Sequence, residues 1–179
     1  MSALSKMLLA EHKLVARAFQ AADQGDARRV LLVSANPGDG KSHLAQCIVR
    51  HAATVTDAAV RVHNLTALQD PGFAPDDGYL WIDGLTLLDE PGPRLLTPSV
   101  RASLHGALLV ARGMRTTRRD IEESGERLRA LGLRPLGGIW NECDHPPAAE
   151  ALRELRSSVS GWTRRLLPDA LVRTVRRSP

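Results

Sequence analysis

The chain has 179 residues, 43% hydrophobic and 25% charged, with a formal net charge of +4 and an isoelectric point near 9.7. These values fit one soluble globular domain long enough to bury a core. They leave no apolar run near the ~18 residues that a membrane-spanning helix needs, and aromatics at 3% are too sparse for a single-strand stacking platform.

At the N-terminus, Lys6 precedes the short apolar run Met7 to Ala10, but Glu11, His12 and Lys13 end it too early for a secretory leader, so a cytoplasmic location is expected. Leu8, Ala10, Leu14, Val15, Phe19 and Ala22 recur at helical spacing and predict a helix over 3–22, stopped by Gly25. A first strand is expected over 29–34, then a loop, then a helix from His43 to about Ala53. Further strands are expected over 58–62 and 79–83, the second ending in Asp83, with a Pro-, Gly- and Asp-rich loop over 69–78 between them. A Pro-rich segment over 90–98 leads to a short helix over 99–105 and a strand over 107–111. Thr117 with Asp120 three residues on reads as a capped helix start. That helix is stopped by Gly132, a fifth strand covers 136–140, and Pro146-Pro147 opens a last helix to about 160. Strands alternating with helices, several of them uninterrupted apolar runs, imply an α/β fold, a parallel β-sheet with helices on both faces. The organisation expected is an N-terminal helix over 1–26, a nucleotide-binding core over 27–145 and a C-terminal helix with a basic tail over 146–179, packed as a single domain.

The loop after the first strand reads Ala35-Asn36-Pro37-Gly38-Asp39-Gly40-Lys41-Ser42, which departs from the phosphate-loop pattern G-x-x-x-x-G-K-[ST] only at its first position. Gly38 and Gly40 allow the tight turn that aims successive N–H groups at phosphate oxygens. Lys41 supplies a point charge for the terminal phosphates, and Ser42 offers a hydroxyl to Mg²⁺. The N-terminal end of the following helix, at His43, adds its positive dipole. Pro37 to His43 are therefore the candidate nucleotide contacts. Only three of the 24 basic residues are lysines, Lys6, Lys13 and Lys41, so the chain keeps Lys at the one position where a planar guanidinium fits badly.

Asp83, closing an apolar strand, is the candidate second ligand for Mg²⁺ and, with Lys41, the candidate catalytic residue. Asp89 is as readily a solvated loop residue, and Asp39 either orients water or metal or simply serves the turn. Asn141 follows a strand at the sheet's carboxyl edge, where an amide can read a purine. His63 and Asn64 end the second strand without a metal-ligand partner at suitable spacing. Cys47 and Cys143 likewise lack paired spacing and read as reduced thiols. No Ser/His/Asp or Cys/His nucleophile arrangement stands out.

The loop at 35–42 resembles that of the bacterial tyrosine kinases of capsule and exopolysaccharide synthesis, a MinD/ParA-like branch of the P-loop proteins. Residues 106–141, with a strand, a basic turn, a helix and a Gly-hydrophobic-Asn ending, are similar to the same family's C-terminal half. Tyr79 to Asp83 takes the Walker B position, and Glu11-x-x-Leu14-x-x-Arg17 partly matches an N-terminal oligomerisation motif. The resemblance covers most of residues 5–142. It implies ATP and Mg²⁺ as cofactors, a membrane-embedded chain-length determinant as partner, and homo-oligomer formation. The sequence departs from the family where a second acidic motif would fall, near 59–67, which reads Ala-Val-Arg-Val-His63-Asn64-Leu65-Thr66. The family's C-terminal tyrosine cluster has no counterpart, since Tyr79 is the only tyrosine. Tyrosine autophosphorylation is therefore not expected, and a nucleotide-dependent regulator or weak ATPase of polysaccharide synthesis or export is. An active kinase acting on a partner and a ParA-like positioning ATPase are the alternatives. Seven arginines follow residue 151 against Glu154 and Asp169; this arm is either a solvated tail or a contact for an acidic inner-membrane face, nucleic acid or partner.

Overall fold

The computed structural model describes residues 3–65, 78–89 and 96–141. The chain divides into two units, Met1–Cys143 and Asp144–Pro179, and all the described residues belong to the first. The expected helix over 146–160, the arginine arm and most of the loops expected over 69–78 and 90–98 lie outside the described residues.

The described elements run α1 (Ala3–Gln24), β1 (Arg29–Ser34), α2 (Lys41–His51), a 3₁₀ turn (Ala52–Thr54), β2 (Val60–Asn64), β3 (Tyr79–Thr86), α3 (Pro98–Ser103), β4 (Gly106–Arg112), α4 (Arg118–Ala130) and β5 (Pro135–Asn141). The five strands form one sheet in the order β2-β3-β1-β4-β5. Every neighbouring pair is parallel. β1 lies at the centre because its sequence can be buried on both sides: Val30 to Val33 are all fully shielded from water. The edge strands β2 and β5 keep exposed positions, as strands with one covered flank must.

The period-2 alternation of β1 divides its apolar side chains between two cores. Val30 and Leu32 join Tyr79, Trp81, Leu108, Val110 and Ile139 beneath α1 and α2, which contribute Leu14, Val15, Phe19, Leu44, Cys47 and Ile48. Leu31 and Val33 join Leu80, Ile82, Leu109, Val100 and Leu128 on the opposite face, covered by α3 and α4. Phe19 meets Tyr79 and Trp81 edge-on, with ring centroids 4.9 and 5.1 Å apart, and so seats α1 on β3.

The capped start expected at Thr117 is present in full. The Thr117 hydroxyl accepts from the Asp120 amide at 3.2 Å, and the Asp120 carboxylate accepts from the Thr117 amide at 2.8 Å. β2 begins at Val60 rather than Ala58, whose amide is taken by the Thr56 hydroxyl at 3.1 Å in the preceding turn. β3 does not end at Asp83. An Asp-Gly pair is a turn signal in sequence, but Gly84 instead lets the strand press onto β1, where an added Cβ would lie 2.5 Å from the Leu32 carbonyl oxygen. The register shifts there, from Leu32 opposite Asp83 to Ser34 opposite Thr86. The chain then follows β1 further, with Leu87 and Leu88 amides donating to the Ser34 and Ala35 carbonyls.

Candidate functional site

The loop between β1 and α2 leaves the centre of the sheet at the carboxyl end of β1, where an open α/β sheet presents its ligand crevice. Two of its residues take the left-handed conformation, Gly38 at φ 81° and Gly40 at φ 98°. At Gly40 space adds a second demand: a Cβ would lie 1.9 Å from Asn141 Nδ2. Asp39, between the glycines, is fully buried; its Oδ2 accepts the Asn36 amide at 2.8 Å and closes the loop on itself. Asn141 at the end of β5 is also buried, and its amide donates to the Asp39 carbonyl at 3.1 Å. The Asn36 side chain donates to Asp120 at 3.2 Å, tying the loop to the first turn of α4. The loop is thus braced from three sides by contacts within the chain.

α2 starts at Lys41, two residues earlier than the apolar pattern suggests, with Gly40 as its N-cap and Leu44 donating to the Gly40 carbonyl at 2.9 Å. Lys41 and Ser42 therefore occupy the first helical turn, where backbone N–H groups lack intrahelical acceptors. Lys41 is half-buried and Ser42 exposed, as is Pro37 at the loop's outer side. His43 turns away along α2, with Nε2 3.5 Å from Cys47 Sγ.

Asp83 lies on β3 beside β1, and alternation places it with Tyr79 and Trp81 on the sheet face that carries α2. Its Oδ1 is shielded from water and has no hydrogen-bond partner among the described residues. A shielded, unsatisfied carboxylate oxygen is costly, and such atoms are most often explained by a cation, water or ligand. Asn64 stands opposite Asp83 in the β2–β3 register, so the strand end next to it carries an amide. Asp89 is exposed beyond β3.

Two arginines reach the loop that sequence reasoning had placed only in a basic turn. Arg112 at the end of β4 donates to the Gly38 carbonyl at 3.2 Å. Arg115 Nη1 lies 3.0 Å from where a Gly38 Cβ would be. The turn that presents them is closed by Thr116, whose hydroxyl accepts from Arg112 and whose amide donates to its carbonyl. Arg-x-x-Arg-Thr after an apolar strand was visible in the sequence, but only the β1–β4 adjacency brings it to the loop.

Tyr79 is 5% exposed, its hydroxyl donates to Asp23, and Arg28 lies over its ring at 4.3 Å. Burial, reinforced by the Asp23 carboxylate, pushes its phenol above the usual range. Glu11, expected in an oligomerisation motif, is 4% exposed and turned onto α2, with Oε2 2.9 Å from His51 Nε2 and 3.4 Å from Arg50.

No model of a known protein family matches this chain, and no curated protein does. Solved structures do match it. The kinase domain of the Escherichia coli tyrosine kinase ETK superposes with a TM-score of 0.51 at 16% identity, over 67% of this chain and 70% of that one. The BceF tyrosine kinase domain superposes with a TM-score of 0.55 at 18% identity, over 75% and 76% of the two chains. At such identities the likeness is one of fold: this chain shares the parallel α/β architecture of these two tyrosine kinase domains.

Proposed function

We propose that the chain binds ATP with Mg²⁺ at the 35–42 loop and acts as a nucleotide-dependent regulator or slow ATPase in polysaccharide synthesis or export. The observation that carries the reading is the braced loop, with Gly38 and Gly40 in the left-handed region, set beside a strand whose Asp83 keeps a shielded oxygen with no hydrogen-bond partner among the described residues. Loop amides and the start of α2 suit phosphate oxygens. Lys41 supplies charge at the terminal phosphates. Ser42 Oγ and the Asp83 carboxylate would hold Mg²⁺, which when bound offsets charge on the phosphates. Asn141 serves this site first by fixing the Asp39 carbonyl, and its position at the carboxyl end of β5 also suits contact with a purine.

A regulator is favoured over a fast enzyme by what surrounds Asp83. β2 ends in His63 and Asn64 rather than a carboxylate. A positioned general base is commonly worth ~10²–10⁴-fold, so turnover without one is slow while phosphate binding is untouched. A membrane-embedded chain-length determinant as partner follows from the resemblance of the loop and of residues 106–141 to the exopolysaccharide kinases.

Isothermal titration of the full chain with ATP·Mg²⁺ tests the reading, with Lys41→Ala as the variant. Wild type is expected to give saturable heat below millimolar ATP, and Lys41→Ala to weaken binding at least tenfold. A wild type that gives no heat at millimolar ATP refutes it. Transfer of ³²P to a candidate partner, absent from Asp83→Asn, would instead favour an active kinase.

A further inference from the structure

The seam between α1 and α2 holds a second group of chemically capable side chains. His43 and Cys47 are one helical turn apart and share a face of α2. Glu11 reaches the same point from α1. One ligand atom from each, a carboxylate oxygen, an imidazole nitrogen and Cys47 Sγ, lie within 4.8 Å of one another. Glu11 is 4% exposed and Cys47 0% exposed, so two of the three are buried. His51, one further turn along α2, places Nε2 2.9 Å from Glu11 Oε2.

Donor type and spacing both suit a metal ion. In a tetrahedral zinc site, Zn–S of about 2.3 Å and Zn–N of about 2.0–2.1 Å set the S···N edge at about 3.5 Å. Cys47 Sγ and His43 Nε2 are 3.5 Å apart. A soft sulfur, imidazole and carboxylate together select zinc-class ions over Mg²⁺ or Ca²⁺. A cation already sits at the mouth of the cluster: Arg50 places Nη1 3.4 Å from Glu11 Oε2 and Nη2 3.7 Å from Cys47 Sγ. Its side chain is 48% exposed, so the guanidinium can move into water on its aliphatic stem.

We propose that Glu11, His43 and Cys47 form a three-residue binding site for a thiophilic divalent cation of the zinc class, with His51 behind Glu11 as the partner that orients its carboxylate. On binding, the Cys47 thiol gives its proton to solvent, His43 supplies a neutral nitrogen, Glu11 a carboxylate oxygen and water the fourth position, and Arg50 swings outward. The ion clamps α1 to α2, the helix whose first turn carries Lys41 and Ser42. The sequence concealed this site because the His43-x₃-Cys47 pair needs Glu11 from a different helix to complete it.

The full chain titrated with Co²⁺, used as a visible stand-in for Zn²⁺, tests the proposal. One equivalent is expected to give tetrahedral d–d bands and a thiolate-to-cobalt charge-transfer band, both displaced by Zn²⁺. The charge-transfer band is expected to vanish in Cys47→Ser and to persist in Cys143→Ser. Arg50→Gln is expected to bind about tenfold more tightly, because a like charge about 4 Å away no longer competes. A wild type without the charge-transfer band overturns the proposal whatever the variants do. A band that survives Cys47→Ser, or a weaker site in Arg50→Gln, overturns it equally.

Discussion

Gly40→Ala separates the two demands that the structure makes on one loop position. Gly40 sits at φ 98° and Gly132 at φ 72°, so alanine at either is strained by its backbone alone. That strain costs roughly 1–2 kcal/mol, offset by roughly 0.4–1 kcal/mol from the stiffer unfolded chain. The Gly132 Cβ would meet nothing within 4 Å among the described residues, so Gly132→Ala should destabilise by only about 0–1.5 kcal/mol. The Gly40 Cβ would lie 1.9 Å from Asn141 Nδ2 and must push that amide off the Asp39 carbonyl. Loss of a buried hydrogen bond that leaves a partner unsatisfied adds about 1–3 kcal/mol, for a total of about 1–4.5 kcal/mol. Urea denaturation of both variants measures the difference through the transition midpoint. The Asn141→Ala background completes the cycle, since the excess at Gly40 should shrink to the Gly132 value once the amide is gone. Equal costs for Gly40→Ala and Gly132→Ala, or an excess undiminished by Asn141→Ala, would refute the idea that β5 braces the loop.

Two further outcomes follow from α4. Gly125 lies inside that helix with room for a methyl group, its nearest neighbour being Arg129 Nη1 at 3.9 Å, so Gly125→Ala should raise stability by about 0.5–1 kcal/mol in the same denaturation assay. The Thr117 amide, aided by the Thr117 hydroxyl and the Asn36 side chain, holds the Asp120 carboxyl below its ordinary range. A carboxyl depressed in the folded state contributes stability above its unfolded pKa of 3.8, lost as pH falls through the folded value. Stability measured from pH 6 down to pH 2.5 should therefore fall less steeply in Asp120→Asn than in wild type, and parallel profiles would contradict this.

Much of the architecture was legible along the chain. The uninterrupted apolar runs at 30–33 and 107–111 mark strands covered on both faces, and Thr117 with Asp120 marks a helix start to the residue. These signals are local, because backbone preference and hydrogen bonds between near neighbours need no distant partner. The strand–Gly-x-Gly-Lys-Ser–helix order is of the same kind, since the glycines answer backbone angles set within the loop itself. Local signals misled where a distant contact outweighed them. Asp83-Gly84 reads as a turn, yet the missing Cβ of Gly84 lets β3 press against the Leu32 carbonyl and run on to Thr86. Asn141 reads as a strand-end amide suited to a purine, and Arg112 and Arg115 as part of a basic turn. Pairing of β4 with β1 and β5 carries all three to the loop. Glu11 reads as part of an oligomerisation motif, but packing of α1 on α2 buries it against His51 and sets it beside His43 and Cys47. The sequence by itself determined which segments become strands and helices and where a phosphate could be cradled. Only the tertiary structure decided which side chains meet, because convergence of residues a hundred positions apart depends on strand order and helix packing, and no local preference encodes it.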